Sequence, residues 1–375
     1  ICTQYLGQKN HEMANKSARQ ALFIITAISV FIVVLGLAFR APLLSFIFGK
    51  VDADVMENSM VYFFYTVLSY PFIALYDAGA SIFRAQENTR GPMVISIISN
   101  VMNIVGNGIL IWVFHMGVAG AAISTLVSRI FCAVVVLYQL RKDRQPIVVR
   151  DYLKIRPDGK MIGRILALGI PSGIENSMFQ LGKLAIQSTV STLGTTAIAA
   201  QAMTNMLEML NGTAVIGVGI GLMTVVGQSL GAGKKDEAVY YMKKLMIFSE
   251  VFLIACCAVV YVLARPITMI GGMEAKSAEM CLDMMFWITI VKPIVWMFAF
   301  IPAYGMRAAG DVKFSMITSC ITMWTFRFCL CVYLIRVCGM GPMAVWIGMF
   351  TDWTVRAIVF GLRFKSGKWM EHKVV

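Results

Sequence analysis

The feature that most constrains this chain is a series of ten apolar stretches, each long enough to cross a lipid bilayer as a helix. A bilayer core of about 30 Å needs roughly 20 apolar residues in helical conformation. Turn signals such as Arg40-Ala-Pro42, Gly194 and Gly271-Gly272 separate the stretches. They lie at about 17–39, 56–83, 92–113, 118–139, 163–190, 197–229, 241–264, 278–304, 314–335 and 342–362. The sequence therefore predicts an all-α, polytopic membrane protein.

The composition indicates the same class. Of the 375 residues, 58% are hydrophobic and 14% are charged, whereas about a quarter of the residues in a soluble domain are charged. This balance excludes a disordered protein, a nucleic-acid-binding protein and an ordinary cytosolic enzyme. Most of the nine cysteines lie in apolar runs, where a thiol packs as a small hydrophobic group. The three histidines are far apart in the sequence and form no ligand cluster.

The distribution of positive charge predicts the orientation in the membrane. With ten spans, 23 lysines and arginines of the ends and loops lie on the side of the N-terminus and five lie on the opposite side. Because cytoplasmic loops carry an excess of Lys and Arg, the first side is assigned to the cytoplasm. We therefore expect a multi-pass protein of the cell membrane with both ends of this chain in the cytoplasm.

The two halves of the chain repeat each other at a spacing of 224 residues. Gln4-Tyr-Leu-Gly7 recurs as Gln228-Ser-Leu-Gly231, and Met116-Gly117 recurs as Met340-Gly341. Two predicted helices precede the second copy of this pattern, whereas only three residues precede the first. By this repeat, we expect about 60 further residues with two helices ahead of Ile1.

The repeat predicts a twelve-helix transporter with two six-helix halves, of which ten helices are present. Halves with an even number of spans enter the membrane in the same direction, so they form a parallel, pseudo-twofold repeat with the site between them. We assign 1–140 to an N-lobe with four of its six helices, 141–162 to a basic cytoplasmic linker and 163–375 to a C-lobe with six helices.

Several short motifs occur along the chain in a specific order and together resemble the multidrug and toxic compound extrusion (MATE) family. Each is weak alone, but the ordered set covers nearly the whole chain. They are Gln4-x-Leu6-Gly7, Arg84-Ala-Gln-Glu-Asn-Thr-Arg90, Asn103-Ile-Val-Gly-Asn107, Gly120-Ala-Ala-Ile-Ser-Thr125, Gly169-Ile-Pro-Ser-Gly-Ile-Glu175, Gly227-Gln-Ser-Leu-Gly-Ala-Gly233 and Met306-Arg-Ala-Ala-Gly-Asp311.

The resemblance implies an antiporter, coupled to Na⁺ or H⁺, that exports amphipathic and often cationic drugs or toxic compounds. It also implies a coupling carboxylate on the seventh family helix, at Glu175. Three positions depart from the family pattern. Glu87 and Asn88 replace the Gly and Asp of the arginine motif, and Asn107 occupies the place of an N-lobe aspartate.

Glu175 is also the strongest candidate on residue chemistry alone. A charge at the bilayer centre costs about 2.5–3.5 kcal/mol on insertion scales and therefore needs a reason. Glu175 lies deep in an apolar stretch, close to the expected midplane, after Pro171 and Gly173, which can loosen the helix there. Burial lets such a carboxylate carry a proton, or a bound Na⁺ can hold it ionised. Lys183, on the same helix, can neutralise an unloaded Glu175 or repel cationic compounds.

Other polar residues inside apolar stretches complete the candidate site. Candidate cation-binding oxygens are on Asn103, Asn107 and Thr125, and Asn can alternatively join helices structurally. Candidate substrate-binding residues are Gln201, Asn205 and Glu208, which follow one helical stripe, together with Lys183 and Phe179. Arg327, which corresponds to Asn103 in the repeat, is expected to pair with Asp352 as part of a structural network that includes Arg356. No role is assigned to Asp77, Glu250 or Lys292.

The sequence also narrows the alternatives. The segment Gly227–Lys235 has neither the glycine spacing nor the Ser/Thr of a phosphate-binding loop, and no hydrolase or zinc-protease motif is present. We expect no enzyme, no cofactor beyond the coupling ion, no nucleic-acid partner and a monomer whose partners are a small-molecule substrate and the lipid bilayer. A lipid-linked oligosaccharide flippase or another metabolite exporter of the same superfamily is the alternative function. A major-facilitator transporter shares the six-plus-six plan but has a different loop motif.

Overall fold

The described part of the chain is helical. The computed structural model describes residues 1–48, 53–142, 145–150, 152, 155–372 and 374, and these residues form no β-strand. Cα positions divide the chain into two compact units, 1–165 and 166–375. The predicted all-α fold is confirmed.

The helices of unit 1 follow the predicted spans in order. They are α1 (Cys2–Gly7), α2 (His11–Ala38), α3 (Arg40–Phe48), α4 (Ala53–Leu68), α5 (Tyr70–Ala85), α6 (Arg90–Gly108) and α7 (Gly117–Leu140). A π-helical turn, Ile109–Val113, continues α6.

The continuous helical segments of unit 2 extend beyond the apolar stretches that predict them. They are α8 (Gly159–Val190), which begins within unit 1, α9 (Thr195–Gly231), α10 (Lys235–Ile270), α11 (Ala275–Ala309), α12 (Val312–Thr322), α13 (Leu330–Arg336) and α14 (Met343–Lys365). A π-helical turn, Met323–Cys329, joins α12 to α13.

Side-chain caps explain why some helices begin ahead of their apolar stretches. Asn10 Oδ1 accepts a 3.1 Å hydrogen bond from the Met13 amide, and α2 starts at His11. Asp158 Oδ1 accepts bonds of 3.0 and 3.3 Å from the amides of Lys160 and Met161, at the start of α8. Each cap satisfies amides that the first helical turn leaves without a partner.

The predicted span 56–83 is one long helical segment with an interruption. α4 ends at Leu68 and α5 begins at Tyr70, with Pro71 in its first turn. Proline has no amide hydrogen to donate, so the helical ladder is weakened at this point.

Nine helical segments among the described residues are long and apolar enough to cross a membrane. They correspond to nine of the ten predicted spans. The predicted span at 163–190 forms α8, which is long enough but carries Glu175, Asn176, Gln180 and Lys183 inside its apolar stretch. These side chains lower its hydropathy below that of the other nine.

The outer surface of the helices is apolar. Phe31, Trp112, Val262 and Ile270 are 62%, 79%, 72% and 87% exposed. Soluble proteins rarely expose large contiguous apolar patches, whereas a membrane-spanning helix presents such side chains to lipid. The exposure pattern agrees with a multi-pass membrane protein.

Each unit has its own buried core. In unit 1, Leu22, Phe83, Val136 and Leu140 are among the buried side chains. In unit 2, α9, α10, α11 and α14 surround a cluster that includes Leu207, Leu222, Ile288, Trp346 and Trp353. A second cluster joins α8 to the α12–α14 segment through Ile186, Val190, Met323, Cys331 and Val345.

The repeat predicted from the sequence is visible in the backbone. α1 ends at Gly7 and α9 ends at Gly231, 224 residues later. The amide of Asn10 donates to the Tyr5 carbonyl at 2.9 Å, and the equivalent amide of Lys234 donates to Ser229 at the same distance. The same helix end and turn are therefore built twice.

Left-handed backbone positions repeat as well. Glu87 has φ +64°, and Gly310, its counterpart at a spacing of 223, has φ +93°. His115 has φ +52°, and its counterpart Gly339 has φ +66°. Only glycine adopts this conformation without steric cost. The turns thus keep their geometry in both copies, although the first copy has bulky residues at these points.

Candidate functional site

Glu175 is held by an ion pair inside unit 2. Arg307 Nη2 donates to Glu175 Oε1 at 2.7 Å, and Ser315 Oγ donates to Oε2 at 3.5 Å. Glu175 is 8% exposed and lies one turn after Pro171 in α8. The guanidinium of Arg307 also lies 5.7 Å from the ring centroid of Tyr304. The acid predicted as the coupling carboxylate is therefore buried and already has a cationic partner.

The cationic partner of Glu175 comes from the end of a neighbouring helix. Arg307 belongs to the last turn of α11, which ends at Ala309, so the Glu175 carboxylate lies beside the C-terminal end of that helix.

Three cationic side chains surround the ring of Phe179, one turn further along α8. The Lys183 ammonium and the Arg327 guanidinium each lie 5.2 Å from the ring centroid, and the Arg356 guanidinium lies 5.6 Å from it. Positive groups at this distance are attracted to the face of an aromatic ring. Lys183 therefore contacts Phe179, and Arg307 takes the place beside Glu175 that was considered for Lys183.

The expected pair of Arg327 with Asp352 is replaced by another. Arg356 Nε donates to Asp352 Oδ1 at 2.7 Å, and its two terminal nitrogens donate to the hydroxyl and the carbonyl of Ser319, both at 3.1 Å. Arg327 is 7% exposed, and its buried Nε has no hydrogen-bond partner among the described residues. The i, i+4 spacing on α14 gives Arg356 the shorter reach to Asp352.

The polar stripe on α9 forms two separate contacts. Gln201 accepts a 3.1 Å bond from Trp346 Nε1 and donates to Asn205 Oδ1 at 3.2 Å. Glu208 pairs with Lys292 of α11, whose Nζ lies 2.5 Å from Oε1 and 3.1 Å from the Glu208 carbonyl oxygen. Lys292 is fully buried, so Glu208 neutralises a charge that has no access to solvent.

The candidate residues of unit 1 form one hydrogen-bonded group. Asn103 Nδ2 donates to Thr125 Oγ1 at 3.2 Å, and Asn107 Nδ2 donates to Asn103 Oδ1 at 3.3 Å. Ser124 Oγ donates to the Asn103 carbonyl at 3.0 Å. Asn107 Oδ1 is buried and has no partner among the described residues. Asn103 and Asn107, four residues apart on α6, therefore form one group with Thr125 of α7.

The predicted cation-binding residues belong to two groups. Glu175 is in unit 2 with Arg307, whereas Asn103, Asn107 and Thr125 are in unit 1. Among the described residues, no group of three His, Cys, Asp or Glu side chains is arranged to hold a metal ion.

The sequence does not identify three of these partners: Arg307, Ser315 and Lys292. Arg307 lies in the motif Met306–Asp311, which resembles a family motif and does not by itself point to an acid. Lys292 is a cation inside an apolar stretch, and the signal that pairs it is an acid inside the apolar stretch of another helix, Glu208. Ser315 carried no signal, because single serines are common in membrane helices.

Comparison with known proteins decides the family. A family model described as MatE matches residues 1–109 and 171–333, which is more than half of the chain. The chain belongs to the MATE family. Members of this family are transporters, so the protein is a membrane transporter and not an enzyme.

Relatives of this MATE transporter match it along nearly its whole length. The probable multidrug resistance protein NorM of Thermotoga maritima is 25% identical over 384 residues, which cover 99% of this chain and 80% of that protein. The uncharacterized transporter YisQ of Bacillus subtilis is 26% identical and covers 99% of this chain and 82% of its own.

Solved structures share the fold. A multidrug resistance MATE family transporter in an outward-facing conformation superposes with a TM-score of 0.89 at 18% identity, covering 98% of this chain and 82% of that one. A MOP superfamily transporter from Pyrococcus furiosus superposes with a TM-score of 0.90 at 17% identity, covering 99% and 83%. At this level of identity the likeness establishes the fold of the MATE transporter and not its substrate.

Proposed function

We propose that this MATE transporter exports small amphipathic, often cationic drugs or toxic compounds across the cell membrane in exchange for Na⁺ or H⁺. The description of the Thermotoga relative as a probable multidrug resistance protein supports export of drugs. The observation that carries the proposal of ion coupling is the Glu175–Arg307 pair, a buried acid held by one cation. In this proposal the protein works as a monomer in the bilayer, with both ends of this chain in the cytoplasm.

The proposed coupling step is a competition for the Glu175 carboxylate. An incoming proton or Na⁺ neutralises the carboxylate and weakens its 2.7 Å bond to Arg307. The Arg307 guanidinium then needs other hydrogen-bond partners. The transporter with an ion or proton on Glu175 and the transporter without one therefore favour different contacts of Arg307. A ligand shifts a conformational equilibrium only through such a difference in interaction between the states.

The group in unit 1 offers a second place for the coupling ion. Asn103, Asn107 and Thr125 supply neutral oxygens, and Asn107 Oδ1 is buried without a partner. Hard cations such as Na⁺ favour oxygen ligands, whereas a proton has no carboxylate to join in this group. We therefore assign Na⁺, if it is the coupling ion, to this group as well as to Glu175.

The compound is proposed to contact Gln201, Asn205, Glu208, Lys183 and Phe179. Asn205 is exposed at the surface of α9, and Lys183 is exposed on α8. Gln201 is hydrogen-bonded to Trp346, and Glu208 is paired with Lys292. In this proposal these contacts hold the two side chains in fixed positions at the binding surface.

Everted membrane vesicles that contain the full-length protein test the proposal. Ethidium efflux is followed by fluorescence while Na⁺ and pH gradients are imposed separately, and one gradient is expected to drive it. Glu175→Gln removes the ionisable acid and is expected to abolish the gradient-driven component, whereas the exposed Glu279→Gln serves as the matched control. Efflux by Glu175→Gln at the wild-type rate would refute coupling at this residue.

A further inference from the structure

We propose that unit 2 contains a binding subsite for an oxyanion, formed by Arg327 and Lys183 beside Phe179. The inference rests on the proposed export function and narrows its compounds towards amphipathic molecules that carry a carboxylate, sulfonate or phosphate. The same chemistry is offered by the headgroup of an anionic lipid, and the experiment below separates these two sources.

The first argument is the local charge balance. Lys183, Arg327 and Arg356 converge on one ring within 5.6 Å of its centroid. Asp352 is the acid hydrogen-bonded within this cluster, and its bond goes to Arg356. The side chains that surround Phe179 therefore keep an excess of positive charge inside an apolar segment, where an unpaired charge is costly.

The second argument is the state of Arg327 itself. It is 7% exposed, and its Nε is buried with no hydrogen-bond partner among the described residues. Guanidinium groups bind carboxylate and phosphate oxygens through paired N–H donors. A buried guanidinium with an unused donor at Nε, next to an exposed ammonium on Lys183, is a site to which an anion can add from the open side.

The third argument comes from the repeat. Asn103 occupies the position equivalent to Arg327, and Ser124, equivalent to Gly348, donates to the Asn103 carbonyl. In unit 2, a Cβ added to Gly348 would lie 2.8 Å from the Arg327 carbonyl oxygen. The helix that carries Asn103 or Arg327 therefore crosses the following helix at the same point in both copies. A neutral side chain, Asn103, is sufficient for that crossing in unit 1. The positive charge of Arg327 is not needed for packing.

The backbone around Arg327 is also unusual. Arg327 lies within the π-helical turn Met323–Cys329. Such turns are rare inside helices and occur frequently at functional sites. The extra residue in the turn changes the direction in which the following side chains leave the helix, and here it accompanies a guanidinium placed over Phe179.

The test measures binding of two dyes of opposite charge to the full-length protein in phosphatidylcholine nanodiscs. Fluorescein supplies an aromatic carboxylate, and ethidium supplies an aromatic cation. We expect Arg327→Gln to weaken fluorescein binding about tenfold or more, since a charge-assisted hydrogen bond is lost. Lys183→Gln is expected to weaken it less and Arg327→Lys to restore part of it, whereas neither Arg327 variant is expected to weaken ethidium binding.

Matched controls remove the same charge elsewhere in unit 2. Arg336→Gln and Lys276→Gln affect exposed side chains outside the cluster and should leave fluorescein binding unchanged. The subsite is overturned if Arg327→Gln and Lys183→Gln bind fluorescein as tightly as the wild type, or if the controls weaken it equally. Lys183 is exposed, so its variant remains informative if Arg327→Gln does not fold.

A parallel measurement separates a lipid from an exported compound. If an anionic headgroup occupies the subsite, native mass spectrometry shows phosphatidylglycerol retained by the wild type and lost in Arg327→Gln, and this lipid competes with fluorescein. If an exported compound occupies it, phosphatidylglycerol does not compete, and fluorescein efflux falls in both variants. Absence of any gradient-driven efflux, with fluorescein binding still dependent on Arg327, would refute the proposed function and leave the subsite standing.

Discussion

Glu175 and Arg307 are 132 residues apart in the chain, yet Arg307 Nη2 lies 2.7 Å from Glu175 Oε1. Glu175 lies in the middle of α8, and Arg307 lies in the last turn of α11. The Glu175 side chain is 9% exposed and that of Arg307 is 24% exposed. The bond therefore links two helices through charges that are largely withdrawn from solvent, and its loss has consequences for both stability and transport.

Removing Arg307 should destabilise the protein more than removing both partners. Arg307→Met leaves a buried carboxylate without its cation, and we expect a loss of about 1–3 kcal/mol, since the pair is partly exposed. Glu175→Met combined with Arg307→Met should recover part of this loss. Thermal unfolding in detergent, followed by size-exclusion chromatography, measures these two variants and Glu175→Met alone. Additive losses in the double variant would show that the pair has no coupling energy.

Lys292 should behave in the same way with a larger effect. Its ammonium is fully buried and contacts both the carboxylate and the carbonyl of Glu208. Glu208→Leu should therefore cost about 3 kcal/mol or more, because it leaves an unpaired charge in the core of unit 2. The double variant with Lys292→Met should be more stable than Glu208→Leu alone, and Lys276→Met serves as the exposed control. A double variant less stable than Glu208→Leu contradicts this account.

The left-handed turns predict opposite results in the two copies. Gly310→Ala places a Cβ at φ +93° and against Val374 Cγ2, and it should lower stability by about 1–2 kcal/mol. Glu87→Gly, at the equivalent position with φ +64°, removes a strained conformation and should leave stability unchanged or slightly higher. The midpoints of thermal unfolding of the two variants test this. A lower midpoint for Glu87→Gly would show that its side chain makes a compensating contact.

The linker should loosen in acid. The hydrogen bond from Lys16, followed by the amides of Met161 and Lys160, holds the pKa of Asp158 below its ordinary value. A carboxyl group whose pKa is lowered by folding stabilises the folded state when the pH is above its ordinary pKa. This contribution is lost as the pH falls through the lower pKa of the folded state, here below about pH 4. Hydrogen exchange of the Lys160 and Met161 amides, corrected for intrinsic rates, should therefore accelerate only in that range.

A matched pair of variants isolates this effect. Asp158→Ala removes the acceptor oxygen and should expose the same amides already at neutral pH, whereas Asp236→Ala, in the exposed first turn of α10, should not expose them. If protection of the two amides falls gradually from neutral pH downwards in the wild type, a group other than Asp158 controls the start of α8.

The fold could be predicted from the sequence because its main determinant is the length of apolar stretches. Periodic hydrophobicity locates helices directly, and the repeat placed the helix end at Gly7 and its copy at Gly231. Helix starts were predicted too late, since Asn10 and Asp158 cap turns that extend beyond the apolar part. A hydropathy pattern does not detect such caps, because the capping residues are polar and lie outside the apolar stretch.

Contacts of the candidate site within one helix follow from the sequence more directly than contacts between distant helices. Asn103 and Asn107 are four residues apart on one helix, and their bond follows from that spacing. The partner of Glu175 depends on how α8 and α11 are aligned, which spacing along one helix does not contain. Arg327 shows the same limit, because the acid at i−4 on α14 gave Arg356 the contact that we expected for Arg327.

The twin turns at Glu87 and Gly310, and at His115 and Gly339, have a wider consequence. The two halves share the same bends, although the first half has Glu87 and His115 where the second half has glycine. Asn103 and Arg327 occupy equivalent positions on this common backbone, with a neutral side chain in one half and a positively charged side chain in the other. A substitution at these positions can thus change the charge of one half without changing the helix turns that both halves share.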